Sequence, residues 1–298
     1  MRQPGMDGGV GGQLRIAVVG AGTMGHGIAQ VAAVAGYDTR LTDANPSAKA
    51  VALAKVRENL DGAVKRSKLS REDADAALHR LAWRDDLAAA VAGVDLVIEA
   101  IVEELDAKRE LFGRLAGLLP PGAVLATNTS SLSVQRIADA AGQPERVVGM
   151  HFFNPVHLMK LVEIVTHERA SPDAVRLVSE VARRMGKDPI VVRDAPGFAS
   201  SRLGVVLGLE AMRMVEQGVA SPEDIDKAME LGYGHPMGPL RVSDLVGLDV
   251  RLAIAEYLYR ELRQPHYQPP GILRDKVRAG ELGKKTGKGF YQWPKQPS

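Results

Sequence analysis

Short apolar runs rich in β-branched residues alternate with helical patterns through the first two thirds of the chain. The run at residues 14–19 leads directly into a glycine-rich turn, after which Ile28, Val31 and Ala35 recur at helical spacing until Gly36. A second short run at residues 39–43 completes a strand–helix–strand unit within about 30 residues, which is the size of a parallel crossover. Further strands are predicted at residues 94–99, 123–127, 147–151, 161–165 and 189–192.

The pattern changes near residue 194. Residues 46–69 already form a long charged helical stretch, but strands still follow it; beyond 194 the pattern is helical, with breaks at glycine and proline. We therefore predict an α/β fold, a Rossmann-type doubly wound and mostly parallel sheet followed by an all-α C-terminal domain. The predicted divisions are a flexible leader at 1–13, a Rossmann domain at 14–193 and a helical substrate or dimerisation domain at 194–298.

Composition narrows the class of protein. The 298 residues are 45% hydrophobic and 25% charged, with a formal net charge of +2, which favours a globular protein over a nucleic-acid binder. The sequence has no cysteine, which excludes disulfides, thiolate metal ligands and a cysteine nucleophile. It has no apolar run of the roughly 20 residues that cross a bilayer and no signal-peptide pattern. We expect a cytoplasmic protein without a metal site and without a nucleic-acid or membrane partner.

The glycine-rich turn predicts a dinucleotide site, because it follows a strand and opens a helix. Its glycines allow a tight turn and close approach of the backbone to a pyrophosphate, which the helix N-terminus attracts. Asp43 lies 18 residues after Gly25, where a carboxylate accepts hydrogen bonds from ribose hydroxyls and repels a 2′-phosphate, so NAD is favoured over NADP. The predicted cofactor-binding residues of this part are Gly20, Ala21, Gly22, Thr23, Met24, Gly25 and Asp43.

His151 is the best candidate for proton transfer. Polar residues end three predicted strands, at Glu99, at 127–130 and at His151, and strand ends of a doubly wound sheet share one edge. Glu163 lies within an apolar strand and needs a partner there. A turn at 154–155 would bring it back to His151, where it would fix the imidazole tautomer. Two other interpretations stay open: a structural histidine, and an ion pair between Glu163 and Lys160.

The motifs of the chain resemble those of one enzyme family. They are GAGTMGHGIAQ from residue 20, EAIVEELDAKRELF from 99, NTSSLSV from 128, HFFNPVHLMKLVEIV from 151, DAPGF from 194, HPMGPL from 235 and GKKTGKGFY from 283. Over residues 14–293 the chain is similar to the short-chain L-3-hydroxyacyl-CoA dehydrogenases, in particular to the bacterial members that act on 3-hydroxybutyryl-CoA. The resemblance implies a homodimer formed through the helical domain.

The resemblance also implies roles for individual residues. His151 and Glu163 would be the catalytic pair, and Ser130 would contact both the cofactor and the substrate. The additional cofactor contacts would be Glu103, Lys108, Asn154 and Lys285. Coenzyme A would lie near Asn59 and Arg66. Ser201 stands where the family often has a catalytic asparagine, and a serine can still donate a hydrogen bond there.

The expected activity is NAD-dependent oxidation of a short-chain (S)-3-hydroxyacyl-CoA to the 3-ketoacyl-CoA, and the reverse reduction. Two alternatives remain. One is a related 3-dehydrogenase that acts on a free sugar acid such as gulonate. The other is a crystallin-like structural protein that binds the cofactor without physiological turnover.

Overall fold

Eight strands form one sheet in the computed structural model, which describes residues 14–294; the predicted leader at 1–13 lies outside the described residues. The strands are β1 Arg15–Val19, β2 Asp38–Thr42, β3 Leu81–Trp83, β4 Leu96–Glu99, β5 Val124–Thr127, β6 Val147–Phe152, β7 Leu161–Thr166 and β8 Asp188–Arg193. Their order in the sheet is β3-β2-β1-β4-β5-β6-β7-β8.

The central strands are buried on both faces, which explains their continuous apolar sequence. In β4, β5 and β6 every residue is buried. Neighbouring strands from β3 to β6 are parallel, whereas β6 and β7 are antiparallel and β7 and β8 are again parallel. The prediction of a mostly parallel doubly wound sheet is confirmed.

Seven α-helices accompany the sheet in the described part, residues 14–194, of the first compact unit, Met1–Asp194. They are α1 Gly25–Val34, α2 Ala48–Lys65, α3 Arg71–Arg80, α4 Leu87–Val91, α5 Leu105–Leu118, α6 Val134–Ala138 and α7 Pro172–Arg184. The largest core cluster packs α1 and α7 against the sheet, with Ile28 and Val178 fully buried. The helix predicted at 46–69 is shorter than expected, because Ser67 adopts a left-handed conformation with φ of 53° after the end of α2.

The second compact unit, Ala195–Ser298, is helical where the structure describes it. Its helices are α8 Ser200–Glu216, α9 Pro222–Tyr233, α10 Pro239–Val246, α11 Leu248–Leu262 and α12 Gly271–Arg278. Its core includes Leu209, Met212, Leu240 and Leu258. The predicted all-α character of this part is confirmed. No helix within 14–294 combines the length and apolar character needed to cross a bilayer.

Candidate active site

The glycine-rich turn joins β1 to α1 under tight packing. Gly20 has φ of 101°, and a Cβ there would lie 2.4 Å from the carbonyl oxygen of Ala100. A Cβ on Gly25 would lie 1.7 Å from the carbonyl oxygen of Gly20. Gly22 differs, because a Cβ there would meet no atom within 4 Å. Gly20 and Gly25 therefore allow the turn itself, while Gly22 leaves open space in front of it.

This turn fits a dinucleotide phosphate. Met24 precedes α1 and makes no side-chain capping hydrogen bond, so it leaves the first backbone N–H groups of the helix uncapped. Asp43 follows β2 and accepts hydrogen bonds from the backbone N–H of Ala21 at 2.7 Å and of Asn45 at 2.8 Å. The carboxylate is thereby held beside the turn, at the position where a ribose diol would lie.

One cavity of about 530 Å³ collects most of the predicted site residues of the first unit. It lies where β1, β2, β4, β5 and β6 end, as ligand sites of doubly wound sheets do. Its lining residues are Gly22, Thr23, Met24, Asp43, Ala100, Ile101, Val102, Glu103, Asn128, Ser130, His151, Phe152, Phe153 and Asn154. The structure thus brings the glycine turn, Asp43, Glu103, Ser130, Asn154 and His151 to one site.

His151 and Glu163 are cross-strand neighbours in the antiparallel β6–β7 ladder. His151 Nδ1 lies 2.7 Å from Glu163 Oε2, His151 is 6% exposed and Glu163 is fully buried. A carboxylate only accepts hydrogen bonds, so Nδ1 carries the hydrogen and the lone pair of the neutral ring is on Nε2. Glu163 therefore fixes the tautomer and orientation of the imidazole.

A second polar network lies beneath the cavity and includes Lys108. The predicted cofactor contact of this lysine stays a prediction; its side chain is 0% exposed, and its ammonium lies 2.6 Å from Glu99 and 3.3 Å from Glu103. Lys108 is thus placed to hold Glu103, which lines the cavity. The carboxylate of Glu103 in turn accepts the backbone N–H of Ser130 at 2.8 Å.

Sequence reasoning did not single out two residues that shape this edge. Thr129 donates its hydroxyl hydrogen to Glu103 at 2.5 Å. Asn128 accepts the backbone N–H of Phe152 at 2.9 Å, which ties the end of β5 to the end of β6. The polar run at 127–130 was the available signal, but it did not show which side chains face the cavity and which brace it.

The predicted coenzyme A contacts lie on a different cavity of the first unit. Asn59 and Arg66 line a space of about 530 Å³ together with Lys65 and His157. Asn59 also donates its side-chain N–H to Gln30 at 3.0 Å. Burial, aided by the positive charges of Arg66 and Lys187, lowers the pKa of His157.

Two predicted site residues belong to the second unit. Ser201 is in the first turn of α8. Lys285 lies 2.6 Å from Asp249. Burial alone would raise the pKa of Asp249, but its hydrogen bonds, among them the one with Lys285, lower that pKa below its usual value. No cluster of three or more His, Asp or Glu side chains within residues 14–294 is arranged to hold a metal ion.

Comparison with known proteins identifies the family. A model of the NAD-binding domain of 3-hydroxyacyl-CoA dehydrogenases matches residues 15–195, and a model of their C-terminal domain matches residues 197–293. The first match confirms NAD as the cofactor. A protein of Bacillus subtilis named probable 3-hydroxybutyryl-CoA dehydrogenase is 43% identical over 284 residues, which cover 95% of this chain and 99% of that protein.

Solved structures agree with these matches. FadB2 of M. tuberculosis superposes with a TM-score of 0.90 at 42% identity, covering 94% of this chain and 99% of that one. The (S)-3-hydroxybutyryl-CoA dehydrogenase PaaH1 of Ralstonia eutropha gives a TM-score of 0.92 at 38% identity, with 95% and 100% covered. The chain therefore belongs to the 3-hydroxyacyl-CoA dehydrogenase family, a family of NAD-dependent oxidoreductases.

Proposed function

We propose that the protein oxidises short-chain (S)-3-hydroxyacyl-CoA thioesters, of which 3-hydroxybutyryl-CoA is the representative, and reduces the corresponding 3-ketoacyl-CoA. The observation that carries this proposal is the His151–Glu163 pair, joined at 2.7 Å in the cavity that also contains the glycine turn and Asp43. The names of the relatives in Bacillus subtilis and Ralstonia eutropha support a four-carbon acyl group.

His151 is the proposed proton-transfer group. Bound NAD would accept the hydride that leaves carbon 3 of the substrate. Oxidation of the alcohol also releases the hydroxyl proton, which Nε2 of His151 takes as a general base. Glu163, fully buried at the other ring nitrogen, stabilises the imidazolium that results. In the reduction, the same imidazolium returns the proton to the carbonyl oxygen.

The remaining residues have proposed binding roles. Ser130 lines the cavity next to Glu103 and is placed to hydrogen-bond the reacting oxygen. Asn59 and Arg66 would hold coenzyme A, with the guanidinium of Arg66 facing a phosphate. Ser201 and Lys285 remain proposed contacts from the second unit. The proposed location is the cytoplasm.

A panel of substrates tests the activity. The reduction is assayed with acetoacetyl-CoA and longer 3-ketoacyl-CoA esters, each with NADH or NADPH. The oxidation of gulonate is assayed with NAD. Nicotinamide absorbance is followed in every assay. Turnover of acetoacetyl-CoA with NADH is expected. Turnover of gulonate alone would favour the sugar-acid alternative, and turnover of none would favour a structural protein.

The variant His151→Ala tests the base. It should lower kcat by about 10²- to 10⁴-fold, the usual contribution of general acid–base catalysis, while the Kd of NADH changes little. A matched control is His167→Asn, since His167 lies within hydrogen-bond distance of the carbonyl of Val147 and lines a different cavity. Activity of His151→Ala close to that of the unaltered protein would show that another group moves the proton.

A further inference from the structure

The polar network at the cavity contains two carboxylates and one ammonium: the buried Glu99 and Lys108 and the partly exposed Glu103, here called the acidic triad. Lys108 Nζ lies 2.6 Å from Glu99 and 3.3 Å from Glu103. We propose that the surplus negative charge of this triad raises the affinity of the site for the oxidised, cationic nicotinamide relative to its affinity for the reduced, neutral one. The inference rests on the proposed function in one respect, the placement of the nicotinamide beside His151.

Glu99 has hydrogen-bonding partners at both of its carboxyl oxygens. Its Oε1 accepts the backbone N–H of Ile101 at 2.7 Å as well as the Lys108 ammonium, and its Oε2 accepts the hydroxyl hydrogen of Thr127 at 2.6 Å. Glu99, Lys108 and Thr127 are all fully buried. A buried ammonium needs a charged partner, and the Lys108 ammonium lies closest to Glu99, so the arrangement suits a carboxylate.

Glu103 is surrounded by donors in the same way. Its Oε1 accepts hydrogen bonds from the hydroxyl of Thr129 at 2.5 Å and from the backbone N–H of Ser130 at 2.8 Å. Its Oε2 faces Lys108. Two ionised carboxylates therefore share a single ammonium, and the triad carries a net charge of −1.

The described lining of the cavity contains no lysine or arginine that would offset this charge. Among the described residues that line the cavity, the charged ones are Asp43 and Glu103, both acidic, and His151 is the one further titratable group. The Glu103 side chain is 37% exposed, so its field reaches the cavity through a partly solvated surface. The surplus charge therefore acts on whatever lies between Glu103 and His151.

The position of the reacting ring follows from the two ends of the cavity. Asp43 and the glycine turn mark the end that suits the adenosine ribose and the phosphates, and His151 marks the end where the hydroxyl proton is taken. The nicotinamide must reach the carbon beside His151, next to Ser130 and Glu103. Only the oxidised ring carries a positive charge, so the attraction to the triad stabilises NAD⁺ relative to NADH.

The ratio of the two dissociation constants measures this effect. Kd is determined for NAD⁺ and for NADH by calorimetry, without any acyl-CoA, for the unaltered protein and for Glu103→Gln and Glu99→Gln. Each substitution leaves the triad neutral. The ratio Kd(NAD⁺)/Kd(NADH) should rise by roughly three- to tenfold for Glu103→Gln and by about two- to fivefold for Glu99→Gln, and less at high salt. A tenfold ratio corresponds to about 30 mV in the potential of a two-electron couple.

Two controls separate charge from positioning. Glu99→Asp keeps the charge and should keep the ratio. Thr127→Val removes one hydrogen bond to Glu99 without changing any charge, so it should alter both constants together. A positioning role alone would raise both constants equally, because the ribose and phosphates are the same in the two forms. An unchanged ratio in Glu103→Gln would therefore overturn the inference.

The outcome is independent of the substrate assignment. If Glu99→Gln does not fold by circular dichroism, Glu103→Gln decides, since Glu103 is partly exposed and its replacement leaves the Glu99–Lys108 pair in place. A shifted ratio in a protein that does not turn over acetoacetyl-CoA would support the electrostatic role and contradict the proposed substrate. An unshifted ratio in an enzyme that does turn over acetoacetyl-CoA would contradict the electrostatic role and support the proposed substrate.

Discussion

Glu163 illustrates how much the proposed chemistry depends on single side chains. Burial of a carboxylate is unfavourable unless it is paired, and His151 is a partner that the structure provides at 2.7 Å. The two residues are twelve positions apart in the chain, so local structure alone does not explain why their side chains meet. Each gives the other its geometry: the carboxylate orients the ring, and the ring completes the hydrogen bonding of the carboxylate.

Glu163→Gln tests that dependence. A glutamine amide has the same shape but can donate to Nδ1, which would favour the tautomer whose hydrogen is on Nε2 and which cannot accept the substrate proton. We expect kcat to fall by about 10²-fold or more, with little change in the Kd of NADH. Steady-state kinetics and calorimetry on the same preparation make the measurement. Full activity in this variant would mean that the imidazole is oriented by something else.

Gly22 and Gly25 differ in a way that a pair of alanine variants can show. Gly25→Ala forces a Cβ against the backbone of Gly20 and should lower the free energy of unfolding by roughly 1–3 kcal/mol. Gly22→Ala meets open space, so its stability should stay within about 0.5 kcal/mol, while the Kd of NADH rises on the order of tenfold. Thermal unfolding and NADH titration check both. Equal stability of the two variants would contradict the packing argument.

At the scale of elements, the segment between β6 and β7 carries much of the site. Phe153 and Asn154 line the cavity, and Val156 packs against α1, where a Cβ on Gly27 would lie 2.9 Å from it. The ammonium of Lys187, itself buried, donates to the carbonyls of Val156 and Met159. The segment is thus fixed both to the helix of the nucleotide site and to the start of β8.

His157 in this segment predicts an acid-sensitive stability. Burial, followed by the positive charges of Arg66, Lys187 and His26, lowers its pKa below the usual 6.5. When the pH falls below about 6.5, the unfolded chain takes up a proton that the folded chain still refuses, so stability is lost until the lowered pKa is reached. His157→Gln should remove this loss. The Tm difference between pH 7.5 and pH 5 should then be smaller in the variant, and equal differences would exclude the mechanism.

Most strands of the sheet are predicted well, including β8, which is predicted at 189–192 although its residues are not buried. β1 and β4 to β6 are continuous apolar runs and were predicted to within a residue or two at each end. β3 was missed because it has only three residues, all partly exposed. α3 was missed because its buried positions are Ala74 and Ala77, which add little to an apolar pattern. The burial of Lys108 was not predicted either, since it depends on Glu99 and Glu103 from other segments.

At the scale of the whole molecule, the chain divides after Asp194 into two units. The first contains the glycine turn, Asp43 and the His151–Glu163 pair; the second contains Ser201 and Lys285. The second unit also exposes large apolar side chains, among them Leu203 at 68%, Leu231 at 76% and Tyr233 at 79%. Apolar exposure of this kind is typical of surfaces that another protein covers.

We propose that a second copy of the chain covers part of this surface. Light scattering coupled to size exclusion should then give twice the mass of one chain at micromolar concentration. Leu203→Glu, on the exposed side of α8, should shift the equilibrium towards the single chain, because a buried charge opposes association. The same replacement by glutamate at the exposed Lys55, on α2 of the first unit, serves as the matched control. A single-chain mass for the unaltered protein would exclude the homodimer.

The two backbone hydrogen bonds of Asp43 bear on coenzyme engineering. Its Oδ2 accepts the N–H of Ala21 and its Oδ1 accepts the N–H of Asn45, so this carboxylate holds the glycine turn in addition to its proposed contact with the ribose. A redesign towards 2′-phosphorylated dinucleotides that substitutes a basic residue at position 43 would remove a repulsive group and, by the same change, loosen the turn. Retargeting the protein would therefore take at least two coordinated changes, one for the new anion and one to restore the lost acceptor.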